Sequence, residues 1–166
     1  DAEFSTVIQI SSSPVVSGSQ AGKLPADGAR VAYQEIVVEA ETNYDVSFIY
    51  TLTDGEPGSM SVEILDVEAN GGTFMSYEET RDHVIGSIKL NNQDDPSTYV
   101  GAEVSFNSGT STRVAIMVSN TPGVEARFDD FAIQIGSSGG IPPSISFQLE
   151  QDPNNFLTYS FINTSL

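Results

Sequence analysis

One alternation that changes phase constrains this chain more than any other feature. Residues 113–135 read RVAIMVSNTPGVEARFDDFAIQI. In the first half Val114, Ile116 and Val118 fall on one side of an extended chain, and Arg113, Ala115 and Met117 fall on the other. That is the two-residue period of a half-buried strand. Asn120-Thr121-Pro122-Gly123 then makes a short turn. In the second half Ala126 and Phe128 keep the apolar parity, but Phe131, Ile133 and Ile135 take the opposite one. One extra residue reconciles the two sets, so a β-bulge is predicted at Asp129-Asp130. Two adjacent carboxylates are therefore expected where the backbone is re-aimed, on the last strand of a domain.

The same period recurs along the chain. Strands are predicted at Phe4–Ile10, at the start of Gln20–Arg30 before an Asp27-Gly28 turn, and at Val31–Glu39. Others follow at Tyr44–Thr51, from Met60 to Ile64, at Val84–Leu90 and at Tyr99–Phe106. Tyr44, Val46, Phe48 and Tyr50 read as inward, and so do Val100, Ala102, Val104 and Phe106. Short strands spaced roughly 8–15 residues apart, with almost no helical period, predict an all-β antiparallel β-sandwich, a jelly roll, over residues 1–136. Residues 67–83 are less regular and carry Phe74, Tyr77, Glu78, Glu79 and Asp82. An irregular segment on a β-scaffold is where binding residues often sit.

The Gly/Ser/Pro run GSSGGIPP that begins at Gly136 reads as a linker, placed at 137–143. Residues 144–166 then read as two strands around Asp152-Pro153-Asn154-Asn155. Two strands alone have too little core to be stable. This tail is expected to open a second domain and, in this chain, to pair with a sheet edge of its own domain or of a neighbouring copy. The chain opens Asp-Ala-Glu-Phe without Met and is expected to be a processed or excised piece.

Charge and composition narrow the function. The 166 residues carry 23 acidic side chains against 6 Lys plus Arg, a net charge of −17. Such a surface repels nucleic acid, anionic membrane and polyanionic glycans unless a cation intervenes. It suits solubility in salty water, and some of its acids are candidates for cation binding. The absence of Cys excludes a disulfide scaffold and the common zinc sites. No apolar run approaches the roughly 18 residues of a membrane span. His83 is the one histidine and stands beside no nucleophile signature, and no carboxylate pair stands out as a glycosidase dyad, so no enzyme activity is expected.

Three segments carry a resemblance. Val31-Ala-Tyr-Gln-Glu-Ile-Val-Val38, Asn43-Tyr-Asp-Val-Ser-Phe-Ile-Tyr50 and Ala126-Arg-Phe-Asp-Asp-Phe-Ala-Ile133 resemble the pattern of jelly-roll carbohydrate-binding modules. Such modules stand beside polysaccharide-degrading enzymes and in surface glycan-binding proteins of Bacteroidetes-type bacteria. The last 20 residues, with Leu157-Thr-Tyr-Ser-Phe-Ile-Asn-Thr-Ser165, resemble the opening of a PKD-type immunoglobulin-like domain. The resemblance implies an extracellular or cell-surface protein that binds polysaccharide, and a structural calcium near the last strand.

From the residues themselves, Asp130 is the leading candidate to ligate Ca²⁺ and Asp129 the second, because hard cations take several carboxylate and carbonyl oxygens at a backbone irregularity. Sugar binding asks for aromatic faces and planar hydrogen-bonding groups on a rigid sheet. There is no Trp, so Tyr must supply the stacking. The outward set is Tyr33, Glu35, Ile49, Glu63, Tyr99, Glu103, Arg113, Met117 and Arg127, of which Tyr33, Tyr99 and Arg127 are the most sugar-like. Tyr77 and Phe74 are loop candidates. Two functions remain open. One is a non-catalytic carbohydrate-binding module that tethers a secreted enzyme or surface protein to a polysaccharide, a neutral β-glucan favoured. The other is a structural sandwich of an adhesin or extracellular filament, with strands pairing between chains.

Overall fold

The computed structural model describes residues 9–12, 15–53, 58–69, 81–91, 97–136, 144–145, 147–151 and 159–163. Its strands are β1 (Gln9–Ser11), β2 (Ala21–Leu24), β3 (Arg30–Val37), β4 (Asn43–Leu52), β5 (Ser59–Asp66), β6 (Val84–Asn91), β7 (Val100–Asn107), β8 (Arg113–Asn120), β9 (Ala126–Ile135), β10 (Ser144–Ile145), β11 (Phe147–Gln151) and β12 (Tyr159–Asn163). A 3₁₀ turn, Arg81–His83, precedes β6. All pairings are antiparallel. The larger sheet runs β1-β2-β9-β4-β7, with β10 against β9, and the smaller runs β3-β8-β5-β6. Most consecutive strands therefore change sheet, including β8 and β9 at the Asn120–Gly123 turn. The result is a jelly-roll β-sandwich.

Alternation drives this layout. On β4, Tyr44, Val46, Phe48 and Leu52 are buried; on β5, Met60, Val62 and Ile64; on β8, Val114 and Val118. Together they form one core between the sheets. Phe48 stacks on Phe131 at 4.9 Å, and Phe131 meets Phe128 edge-on at 5.9 Å. Phe128 and Phe131 are three positions apart, so both rings face inward only if the strand carries an extra residue. The register supplies it: Ser47 pairs with Ala132 and Ile49 with Asp129, leaving Phe48 opposite two residues. Asp130 takes the strain with φ of 51°. The bulge predicted from parity is thus present, at Asp130-Phe131, one residue on from the predicted Asp129-Asp130 pair. Gly22 completes the arrangement, since a Cβ there would lie 2.4 Å from the Phe128 ring.

Parity misjudges the outer face of the smaller sheet. Ala115 and Met117 were expected to point outward, yet both are buried, Met117 at 1% exposure. With Leu65 and Val67 they form a second apolar cluster, against which Val31 and Val84 pack. Period two says only that neighbours point to opposite faces; β8 is buried on both.

In the tail, β10 pairs with the edge of β9 through Ser144–Gln134 and Ile145–Ile133. β11 and β12 pair with each other. The chain's own β9 edge thus takes the strand that an exposed edge recruits.

Candidate functional site

The outer face of the larger sheet has the opposite character. Along β4 its positions are Thr51, Ile49, Ser47, Asp45 and Asn43. Along β7 they are Gly101, Glu103, Ser105 and Asn107, with Tyr99 one residue before the strand. The pairs Ile49–Gly101, Ser47–Glu103, Asp45–Ser105 and Asn43–Asn107 set these side chains in rows. On the other flank, β9 places Asp129 beside Ile49 and Ala132 beside Ser47. Small residues at the middle of the face leave a shallow open depression of about 480 Å³, lined by Ser47, Ile49, Gly101, Glu103 and Asp130 among others. A Cβ on Gly101 would meet nothing within 4 Å among the described residues, so the space above this residue is open.

The bulge aims the carboxylates here. Asp129 lies on the outer parity, and Asp130 lines the depression. Tyr99, half-buried, joins them electrostatically: burial raises its phenol, the Arg127 charge lowers it, and the Asp129 charge raises it again. Arg127 is held by Glu125 at 2.6 Å, and Glu125 also takes Lys23 at 2.7 Å. These partly exposed pairs contribute little stability, roughly 0–1 kcal/mol each, but they keep the guanidinium in place.

The sequence-predicted sugar residues do not form one site. Tyr99 and Arg127 share the larger sheet. Tyr33 is 47% exposed but stands on β3 of the smaller sheet, on the same face as the Glu35–Arg113 ion pair. Glu63, Arg113 and Met117 of the outward set also belong to the smaller sheet, and Met117 is not exposed at all. Tyr77 and Phe74 lie outside the described residues. Gly101 and Ser47, which line the depression, were not among the residues singled out from the sequence, because small residues advertise no chemistry. The signal available was their parity with Tyr99 and Ile49.

For calcium, Asp130 and Asp129 meet the loop before β2. The Ser17 hydroxyl donates to Asp130 Oδ1, and the Ser17 backbone favours the ionised form of the Asp129 carboxyl. The Asp130 amide donates to Asp129 Oδ1 at 2.9 Å. Asp129 Oδ2 is buried without a hydrogen-bond partner, and burial raises this carboxyl above its usual range. An orphaned buried carboxylate oxygen is the kind of atom a hard cation satisfies. Among the described residues no group of three or more His, Asp or Glu stands ready to hold a metal. Asp129 and Asp130 are oxygen donors of the kind Ca²⁺ takes, but two carboxylates are fewer than its six to eight oxygens.

No protein-family model matches the chain, and no curated protein does. Solved structures do match in fold. A family 61 carbohydrate-binding module in complex with β-1,4-galactotriose is 18% identical, with 78% of this chain and 82% of that chain covered, at a TM-score of 0.52. The CBM22-1 xylan-binding domain of Paenibacillus barcinonensis Xyn10C is 12% identical over 81% and 84%, at 0.55. A family 6 module of Cellvibrio mixtus lichenase 5A in complex with cellotriose is 15% identical over 80% and 90%, at 0.50. These structural neighbours are carbohydrate-binding modules, and the chain shares their jelly-roll fold.

Proposed function

We propose that this protein is a non-catalytic carbohydrate-binding domain whose outer larger-sheet face takes a neutral polysaccharide. A β-glucan is favoured. The observation that carries it is the open depression on Ser47 and Gly101, lined also by Glu103 and Asp130, on the sheet that carries Arg127 and leads in from Tyr99. A flat, rigid floor with planar polar groups at its rim suits sugar rings and their hydroxyls. The carboxylates repel uronate and sulfate. The fold shared with a xylan-binding domain and with modules in cellotriose and galactotriose complexes supports the same reading.

In this reading the domain works outside the cell or at its surface and tethers an enzyme or surface protein to its polymer. Residues 144–166 begin a second, PKD-type domain. Calcium sits between Asp130, Asp129 and the Ser17 loop, where it offsets carboxylate repulsion and fixes the loop to the bulge. Calorimetric titration with neutral β-glucan, xylan and galactan oligosaccharides tests the core of the proposal. Binding by the wild type, weakened in Tyr99→Ala and Glu103→Ala while folding is kept, is expected. No heat with any of the three ends it.

A further inference from the structure

We infer that the binding face has a second, separate saccharide subsite at Asn43, Asp45, Ser105 and Asn107, further along β4 and β7. This inference rests on the glycan-binding reading and adds to it where a long chain is gripped.

Three observations carry it. First, a second open depression of about 440 Å³ lies there, lined by Asn43, Asp45, Ser105, Asn107 and Gly136 among others. Second, its polar groups are already aligned. The Ser105 hydroxyl donates to Asp45 Oδ1 at 2.6 Å. The Asn107 amide donates to Asn43 Oδ1 at 2.7 Å. Asn43, Ser105 and Asn107 are exposed, so these planar groups keep bonding capacity toward solvent: each amide nitrogen has two hydrogens and each carboxylate several acceptor positions. Third, the neighbour across the sheet is a glycine. The Gly136 amide bonds the Asn43 carbonyl at 2.8 Å. A Cβ on Gly136 would stand 3.2 Å from Asp45 Oδ2. Without that carbon, the second carboxylate oxygen stays uncrowded.

The two depressions lie on one strip. From Tyr99 to Asn107 the chain advances eight residues, about 27 Å at roughly 3.4 Å each. Every outward position on that path is small or polar after Tyr99. The ligand class is a linear neutral polysaccharide bound along its length. Its hydroxyls both donate and accept, which matches a surface of amides, a hydroxyl and a carboxylate. The aromatic residues that line the far subsite, Tyr44 and Phe106, are buried, so it offers no exposed ring to stack on, binds weakly alone and acts by extending a chain already seated near Tyr99.

The experiment is a length series. A trisaccharide and a hexasaccharide of whichever glycan the wild type binds are titrated against wild type, Asp45→Ala, Asn107→Ala and Gly136→Val. The wild type is expected to prefer the hexasaccharide by about tenfold, the worth of one or two added hydrogen bonds. Each variant is expected to lose that preference and keep trisaccharide affinity. Equal affinity of wild type for both lengths, or variants that retain the preference, overturns the second subsite while leaving the first in place. Failure of the wild type to bind either length overturns the parent reading instead. Melting curves of the variants guard against misfolding, and Asn107→Ala, at an exposed position, serves if Gly136→Val fails to fold.

Discussion

The two outer faces of this sandwich were built from the same alternation and came out opposite. On the smaller sheet, Leu65, Ala115 and Met117 are buried in a cluster of their own. On the larger sheet, Ser47, Gly101 and Glu103 stand around open space. The middle of the smaller-sheet face is thus closed, while Tyr33 at its β3 side stays exposed. The contrast teaches that an outward parity is not an exposed position. Whether a face is wet depends on what lies over it, which is a property of the whole chain.

The strongest way to break the comparison is to shorten Met117. If its face is covered, Met117→Ala removes a core side chain and is expected to cost about 2–5 kcal/mol of stability, with glycan affinity unchanged per folded molecule. A loss within about 0.5 kcal/mol, the range of ordinary surface changes, would mean that the face is open after all. Chemical denaturation reads this directly.

The opposite face is probed by ligand. Tyr99→Ala and Glu103→Ala are expected to weaken glycan binding by about 1–3 kcal/mol through a lost ring contact or a lost charged hydrogen bond. Tyr33→Ala, on the other sheet, is expected to leave affinity untouched. Should Tyr33→Ala weaken binding as much as Tyr99→Ala, the assignment of the site to the larger sheet is wrong.

Calcium sharpens the contrast at the bulge, which belongs to the open face. A cation held only in the folded state adds about 2.7 kcal/mol at a hundred times its dissociation constant. EDTA is therefore expected to lower the melting temperature of the wild type and not of Asp130→Ala. An identical melting temperature with and without EDTA in the wild type removes calcium from the account.

The smallest effect is expected at the turn between β2 and β3, where the chain passes from one sheet to the other. The hydrogen bond from Arg30, and then its charge, hold the Asp27 carboxyl below its usual value. A lowered folded-state value means stability that is present above the ordinary carboxylate range and lost as pH falls through the folded value. The wild type is thus expected to exceed Asp27→Asn slightly in melting temperature at neutral pH, the gap closing in acid. A gap independent of pH would assign the effect to something other than charge. Asp27 is exposed, so the difference is small.

Much of the fold was legible from residues alone. Phe128 and Phe131 cannot both be core residues on a regular strand, so a bulge between them followed from parity. Val46, Phe48 and Val104 announced the core by their period. The site was half legible. Tyr99 and Arg127 carried visible chemistry and do share a face. Tyr33 carried the same chemistry and stands on the smaller sheet, and Gly101 and Ser47 line the depression by being small. Local pattern fixes which residues alternate, because the pleat of one strand is a local geometry with a period of two. Pairing partners, the sheet each strand joins and the burial of Met117 depend on contacts between residues far apart in sequence. Those contacts are settled only when the two sheets close on each other, and with them which of two outward faces is left open for a ligand.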